Sequence, residues 1–414
     1  MSILSSPAAT GVHPPSGRAA ALLFSATMVT LIAAASAPTP LYPLYQYSWS
    51  FSPEVLTVVF AVYAAGLLAA LLTVGALSDH VGRRPVIFAA LLLEILGMGL
   101  FVAADGVKLL IAARLVQGFA TGAATSALAA ALLDADRHHA PLISSLVNPL
   151  GMALGALGAG ALVELAPWPL RLVYLLLAVL FVAQAAVLWR LPERAAPRPG
   201  AWASLRPRVV VPLPARAAFL RLSPLNTAIW ALGGFMMSLG PSLVREATGV
   251  ASSLAAGAVV AALTGSGAVA ILAVRNRPAR VALTAGAILM LAGLPVLASG
   301  AWVGSLALLL VGALLAGLGW GASFLGVLRS LLPLAGATER AGLVSAYYVQ
   351  GYLAISVPAM LAGVLGRSLG VVPAATIFVL ALLATTLAGL VLARGAAVGR
   401  RAQLCLVPAG GNAS

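Results

Sequence analysis

A short polar segment between two long apolar runs is the feature that most constrains this chain. Residues 75–85 read GALSDHVGRRP, and the flanking runs 56–74 and 86–104 together hold a single charged residue, Glu94. About 20 apolar residues of helix are needed to cross the roughly 30 Å hydrocarbon core of a bilayer. The segment is therefore predicted to be a tight turn between two membrane-spanning helices.

The composition extends this prediction to the whole chain. Of its 414 residues, 62% are hydrophobic and 8% are charged, and the mean hydropathy is +1.06. Soluble globular domains carry roughly 25% charged residues. Because so few polar side chains cannot cover a soluble protein of this size, we expect an all-α membrane protein embedded in the lipid bilayer. Heavy use of Arg over Lys, with Ala-rich helices, points to a GC-rich bacterial genome and hence to a bacterial inner membrane.

The apolar runs predict twelve helices in two sets of six. The predicted spans are 19–42, 54–76, 86–104, 107–132, 141–165, 170–190, 218–242, 251–274, 281–300, 303–328, 342–366 and 371–394. The corresponding organisation is a tail 1–18, a six-helix bundle 19–190, a linker 191–217, a second six-helix bundle 218–394 and a tail 395–414. The linker contains six Pro among its Arg residues, so it is predicted to be a connection outside the membrane rather than an apolar helix.

The basic residues predict the orientation. The formal net charge is +14, and with the N-terminus inside, nearly all of the Arg residues fall on one face. The other face receives only Lys108, Arg171, Arg245 and Arg367. The positive-inside rule then places both termini and the linker in the cytoplasm. It also explains the basic excess better than a nucleic-acid partner, which we do not expect.

The polar segment resembles the signature loop of the major facilitator superfamily, G-x-L-[AS]-D-[RK]-x-G-[RK]-[RK], between that family's second and third helices. His80 departs from it, since the family usually has Arg or Lys there. The matching residues are Gly75, Leu77, Ser78, Asp79, Gly82, Arg83 and Arg84.

The resemblance implies the twelve-helix major facilitator fold, with the substrate site between the bundles. It also implies that Gly75, Asp79, Gly82, Arg83 and Arg84 form a latch that holds the cytoplasmic side shut in the outward-facing state. The alternative is a plain basic loop. The turn 275–280, RNRPAR, occupies the equivalent place in the second half but lacks the Asp and the Gly.

The fourth predicted helix contains an arginine, Arg114, followed by Gly118 and Gly122. The two glycines form a face of small residues that is predicted to allow close helix packing. A charged residue inside a membrane helix is costly and suggests a functional site. The pattern R-x-x-x-G-x-x-x-G resembles the superfamily's helix-4 motif, whose Arg is associated with proton coupling. The alternative is an Arg that extends to the outer surface of the membrane, because it lies only about seven residues into the helix.

Glu94 in the third helix is the second candidate for proton coupling, since it is the only acid deep in an apolar run. A buried carboxyl group can carry a proton. The alternative is a Glu that is hydrogen-bonded to a neighbouring helix.

The fifth helix is rich in small residues that allow helices to pack closely. They include Gly151, Gly155, Gly158 and Gly160. The spacing looks like the antiporter motif of drug exporters, G-x-x-x-G-P-x-x-G-G, with Ala156 in place of Pro and Ala159 in place of the first Gly of the pair. This resemblance favours export in exchange for protons over uptake.

Sparse polar and aromatic residues in the apolar helices predict a largely apolar substrate cavity. The candidates that line it are Pro38, Tyr42, Gln117, Asn148, Asn226, Trp230, Trp320, Tyr348 and Gln350. The same residues could equally be part of the helix packing. The first helix has no acid, and exporters of cationic drugs often carry one there, so cationic substrates are not expected.

The chain contains no phosphate-binding loop, metal-binding pattern or nucleophile elbow, so we expect neither an enzyme nor a bound cofactor. The predicted function is secondary active transport, with export of small, fairly apolar organic molecules driven by the proton gradient. We expect a monomer. Two alternatives stay open: proton-coupled uptake of a sugar or organic acid, and a non-transporting membrane receptor or assembly factor on the same fold.

Overall fold

The computed structural model describes residues 17–193, 198–336 and 339–405. The predicted tail 1–18 therefore falls outside the described residues except for its last two, as does 406–414 of the second tail. The described residues form helices joined by short turns, with no β-strand among them. Among these described helices, eleven are long and apolar enough to cross a membrane, or twelve if one bent pair counts as a single span. The chain is thus a multi-pass membrane protein with the predicted fold class.

The first half contains α1 to α8. These helices are α1 Gly17–Ser36, α2 Tyr42–Trp49, α3 Pro53–Thr73, α4 Ser78–Val81, α5 Arg83–Ala103, α6 Val107–Ala135, α7 Ala140–Leu165 and α8 Leu172–Trp189. A short helix, α9 Ala201–Ser204, lies in the linker. The second half contains α10 Leu213–Ser238, α11 Gly240–Thr248, α12 Ser253–Val274, α13 Ala279–Val303, α14 Leu306–Leu331, α15 Arg340–Leu369 and α16 Val371–Cys405.

Two predicted spans have wrong boundaries, and each contains a helix break at proline. The first span does not end at residue 42, because a 3-10 turn at Thr39–Leu41 separates α1 from α2 and the apolar span continues to Trp49. The seventh span starts at Leu213 rather than 218 and continues past 242 as α11, which is bent by 61° from α10. Proline lacks an N–H and disrupts a helix interior, but it fits the first turn. Pro241 accordingly lies in the first turn of α11.

The helix bundle has two ends, the linker side, where the linker lies, and the distal side opposite to it. The linker side contains the α3–α5 turn, the α6–α7 turn and the start of α10, and the distal side contains the α2–α3, α7–α8 and α15–α16 turns. The halves pack on each other mainly through two helix pairs, α7 with α12 and α3 with α15.

Candidate functional site

A cavity lies between the two halves and is formed by helices from both. It encloses about 680 Å³, the solvent at its mouth included. The first half contributes Ile32, Ala35, Ser36, Phe60, Tyr63, Leu67, Asn148 and Met152. The second half contributes Ile229, Trp230, Gly233, Met237, Trp320, Phe324, Tyr352 and Ile355. None of these lining residues is charged, so the cavity offers mainly apolar and aromatic surface.

Three of the predicted cavity residues, Asn148, Trp230 and Trp320, line this cavity. The other six do not line it. Pro38 is buried at the break after α1. The side chains of Tyr42 and Gln117 both bind Arg114.

The remaining three lie beside the cavity in the second half. The amide of Asn226 donates to Gln350 over 3.1 Å, and Gln350 in turn donates to the carbonyl of Ser223. Tyr348 packs edge-on against Trp230, with 6.0 Å between the ring centroids. These residues therefore support the wall of the cavity from behind.

The sequence prediction missed most of the first-half wall. Phe60, Tyr63 and Leu67 line the cavity from α3. They are spaced at i, i+3 and i+7, which places them on one face of a helix. That spacing was a usable signal, but an apolar helix carries several such faces and hydropathy alone does not say which one meets a cavity.

Aromatic rings dominate the second-half wall. Trp230 is surrounded by the rings of Tyr347, Tyr348 and Tyr352, with centroid distances of 6.1, 6.0 and 5.1 Å. The indole N–H of Trp320 donates to the carbonyl of Ile229 over 3.0 Å, which fixes the ring against α10. Such edge-on aromatic contacts hold rings in place and leave a rigid surface for an apolar ligand.

Arg114 lies at the break after α1 and is fully buried, with 0% exposure. Its guanidinium donates to the carbonyl of Ala35 over 2.9 Å, to Gln117 over 2.7 Å and to the hydroxyl of Tyr42 over 2.6 Å. It also lies 4.8 Å from the ring centroid of Tyr63. The alternative in which Arg114 extends to the membrane surface is therefore wrong, because its guanidinium is fully buried and donates to groups inside the bundle.

The break in α1 explains why these donors are needed. An α-helix would pair the N–H of residue 38 with the carbonyl of Ala34, but residue 38 is proline and has no N–H. The amide of Gln117 donates to that carbonyl instead, over 2.9 Å. Arg114 and Gln117 thus replace the missing backbone partners, which is how broken helices are tolerated in membranes.

Glu94 is also fully buried, on the neighbouring helix α5. Its Oε1 accepts a hydrogen bond from the hydroxyl of Thr121 on α6, at 2.7 Å. Its Oε2 has no hydrogen-bond partner among the described residues. The hydrogen bond to a neighbouring helix that the alternative predicts for Glu94 is present. The other carboxyl oxygen has no partner among the described residues and lies in an apolar surrounding.

The polar segment at 75–85 forms ion pairs within the first half. Arg83 pairs with Asp79 and, over 3.3 Å, with Asp134 at the end of α6. Arg84 contacts the linker, since its side chain donates to the carbonyl of Leu191 over 2.9 Å and its backbone N–H donates to Glu193 over 2.7 Å.

Two residues of this segment have special positions. Gly82 has a φ of +102°, and a Cβ there would lie 2.8 Å from the carboxylate of Glu193, so only glycine fits without strain. His80 departs from the family pattern and contacts the linker instead. Its Nδ1 lies 3.0 Å from the carbonyl oxygen of Pro199, and its own carbonyl accepts from Arg198 over 2.8 Å. Gly75 lies in the turn after α3, where a Cβ would be 2.3 Å from the carbonyl oxygen of Leu71.

Most of the predicted packing glycines make close backbone contacts. A Cβ at Gly118 or Gly122 would lie 2.2 or 2.5 Å from a carbonyl oxygen of α3, and one at Gly155 would lie 2.1 Å from the carbonyl oxygen of Ala33. Gly151 meets α1, and Gly160 meets Ser253 across the two halves. Gly158 is the exception: it is exposed, and a Cβ there would meet nothing within 4 Å. Its assignment to helix packing is therefore wrong.

Four hydrogen bonds join the halves in the described part of the chain, and all lie on the distal side. Arg367 pairs with Glu54, and Glu164 accepts from the backbone N–H of Leu254 over 3.2 Å. The other two are Ser242 with Gln46 over 3.0 Å and Arg245 with the carbonyl of Pro43 over 3.5 Å. The structure is thus fastened at its distal end.

Known proteins resemble this chain in sequence and in structure. Multidrug resistance protein MdtL of Shewanella sp. (strain ANA-3) is 32% identical over 119 residues. That match spans 28% of this chain and 30% of the length of the relative.

Two solved structures share the fold. A bacterial homologue of the human lysosomal transporter Spinster, in an inward-facing and unoccupied conformation, has a TM-score of 0.70 at 16% identity and covers 92% of this chain and 97% of its own. The human organic anion transporter MFSD10 (TETRAN) has a TM-score of 0.61 at 20% identity and covers 91% of this chain and 100% of its own. The family model of the Major Facilitator Superfamily matches residues 22–358. With its two helical halves around a central cavity, the chain belongs to this superfamily of transporters.

Proposed function

We propose that this protein exports small, fairly apolar organic molecules in exchange for protons by alternating access. The observation that carries the proposal is the uncharged, aromatic cavity between two halves whose mutual hydrogen bonds, among the described residues, all lie at the distal end. A site between two such halves can face either side of a membrane in turn. We further propose a monomer, because both walls of the cavity come from one chain.

The cavity composition favours an apolar substrate over a sugar. A sugar needs many hydrogen-bonding partners, whereas the lining residues without an aromatic ring include only two with a polar side chain, Ser36 and Asn148. The hydroxyl of Ser36 is already donated to backbone carbonyls of Ala33 and Met152. The match to a multidrug resistance protein supports export, over the 119 residues that it spans.

We assign proton coupling to Arg114 and Glu94. Both side chains are fully buried in the first half, and each keeps one polar atom without a partner in the described chain, the Nε of Arg114 and the Oε2 of Glu94. Unsatisfied polar atoms in an apolar surrounding are costly. Such groups are suited to change protonation or partner when the halves rearrange. Arg114 is the more sensitive position, because its hydrogen bonds hold the broken first helix beside the cavity.

Transport by purified protein in proteoliposomes with an imposed pH gradient tests this assignment. Arg114→Ala should abolish uphill transport and keep some downhill exchange. If Glu94 carries the proton, Glu94→Gln should do the same and should flatten the pH dependence of transport. If Glu94 is structural, Glu94→Gln lowers only thermal stability, by roughly 1–3 kcal/mol as for a disturbed buried polar group. Full uphill transport by folded Arg114→Ala would remove the coupling role of this residue.

A further inference from the structure

A buried cation lies directly behind the first-half wall of the cavity. Arg114 lies 4.8 Å from the ring centroid of Tyr63 and donates to the carbonyl of Ala35, and both of these residues line the cavity. No acidic group lies within ion-pair distance of Arg114 among the described residues. Its positive charge is therefore not neutralised by a direct partner.

Glu94 is the other buried ionisable side chain in this region, and it is further from the cavity. Its carboxyl group contacts Thr121 on α6, and Thr121 does not line the cavity. Arg114 therefore touches the lining directly, whereas Glu94 reaches it only through an intervening residue. Of these two groups, the cation is the one in direct contact with the lining.

We propose that the cavity selects aromatic compounds that are neutral or negatively charged and excludes organic cations, with Arg114 as the residue that determines this selection. The inference deepens the proposed transport function by naming a substrate class, and it rests on that function for the identity of the site. The aromatic wall around Trp230 and Trp320 supplies the contact surface, and the cation behind Tyr63 supplies the discrimination.

The size of the effect follows from the geometry. A ligand charge stacked on the cavity face of Tyr63 would lie about 9 Å from the guanidinium, and at an effective dielectric constant of about 20 this interaction changes a binding constant on the order of tenfold. Aromatic rings do attract cations. Here the face of Tyr63 already interacts with Arg114, so that ring offers less to a second cation.

Equilibrium dialysis of purified protein with three matched probes tests the proposal: 2-naphthol as the neutral probe, 2-naphthoate as the anion and 2-naphthylmethylammonium as the cation. We expect the wild-type protein to bind the first two at least about tenfold more tightly than the third, equal to about 1.4 kcal/mol. Arg114→Gln should reduce this difference. Lys108→Gln removes a positive charge from an exposed position on the same helix and should leave the difference unchanged.

A second variant keeps the test independent of how Arg114→Gln folds. Asn148 lines the cavity and is partly exposed to it, so Asn148→Asp adds a negative charge with almost no change in shape. It should strengthen cation binding about tenfold relative to the anion, while Asn148→Ser should not. Trp230→Leu should weaken all three probes together.

Several results would overturn the proposal. Equal binding of all three probes by the wild type, or an unchanged order in Asn148→Asp, would remove the charge selection, and failure of every probe to bind would remove the aromatic ligand class. Transport in proteoliposomes separates this from the proposed function. A protein that transports uphill without charge preference fails only the present inference, and one that binds in the expected order without proton-driven transport fails only the coupling.

Discussion

Breaking the ion pair between Glu54 and Arg367 should shift the protein toward the state that is open on the distal side. The pair joins α3 of the first half to α15 of the second. The Arg367 side chain is 70% exposed and the Glu54 side chain 24% exposed. A solvent-screened pair of this kind contributes about 0.2–1 kcal/mol. Since RT is about 0.59 kcal/mol, removing it should change the ratio of closed to open states by about 1.4- to 5-fold.

A double-mutant cycle on a single-cysteine background measures this shift. Cys405 is the only cysteine, so Cys405→Ser with Asn148→Cys places one thiol in the cavity. The rate at which an impermeant thiol reagent labels it from the distal side should rise about 1.4- to 5-fold in Glu54→Gln and in Arg367→Gln, with no further gain in the double variant.

The exposed Arg171 lies on the same side and provides the control, because Arg171→Gln removes the same charge. It should leave the labelling rate unchanged. Purely additive effects of Glu54→Gln and Arg367→Gln, or a slower reaction in either, would refute the idea that this pair fastens the distal end.

Three further predictions use other parts of the molecule. Asp79→Asn should insert and express normally but transport at least several-fold more slowly in proteoliposomes, because the carboxylate that pairs with Arg83 is lost; normal transport would contradict the latch role. Gly155→Leu should lower the free energy of unfolding by about 1–3 kcal/mol through overpacking against Ala33, whereas Gly158→Leu, on an open surface, should change the melting temperature little; equal losses would contradict the packing account. An impermeant thiol reagent on intact cells should leave Cys405 unlabelled, and rapid labelling would reverse the proposed orientation.

The number and grouping of the helices followed from the sequence because membrane spans are long apolar runs bounded by polar turns. The end of the first span could not be predicted in this way. Residues on both sides of Pro38 and Pro40 are apolar enough to stay in the membrane, so hydropathy gives no boundary there. The break becomes visible only through its consequence, the two backbone carbonyls that Arg114 and Gln117 bind.

The cavity was harder to predict for a related reason. A polar side chain in a membrane helix needs a hydrogen-bond partner, and such side chains often find each other rather than a ligand. Gln117 pairs with Arg114, and Asn226 pairs with Gln350. The surface that remains for a ligand is built largely from apolar residues such as Phe60, whose sequence signal is the same as that of ordinary packing.

Charged and aromatic groups are distributed unequally between the two halves. The first half holds the buried Arg114 and Glu94 and the ion pairs around Asp79, whereas the equivalent turn of the second half, 275–280, has no acid. The second half supplies the ring cluster around Trp230.

The proposed coupling between proton and substrate therefore has to connect the buried Arg114 and Glu94 of the first half to a ligand that contacts both halves. Tyr63 is the residue placed to do so, because its ring contacts the Arg114 guanidinium, lines the cavity and lies in a cluster against which Tyr352 of the second half packs. A ligand in the cavity and the buried cation thus meet the same ring. Each can influence the position of the other without direct contact, which is the physical requirement for coupling two sites through a shared element.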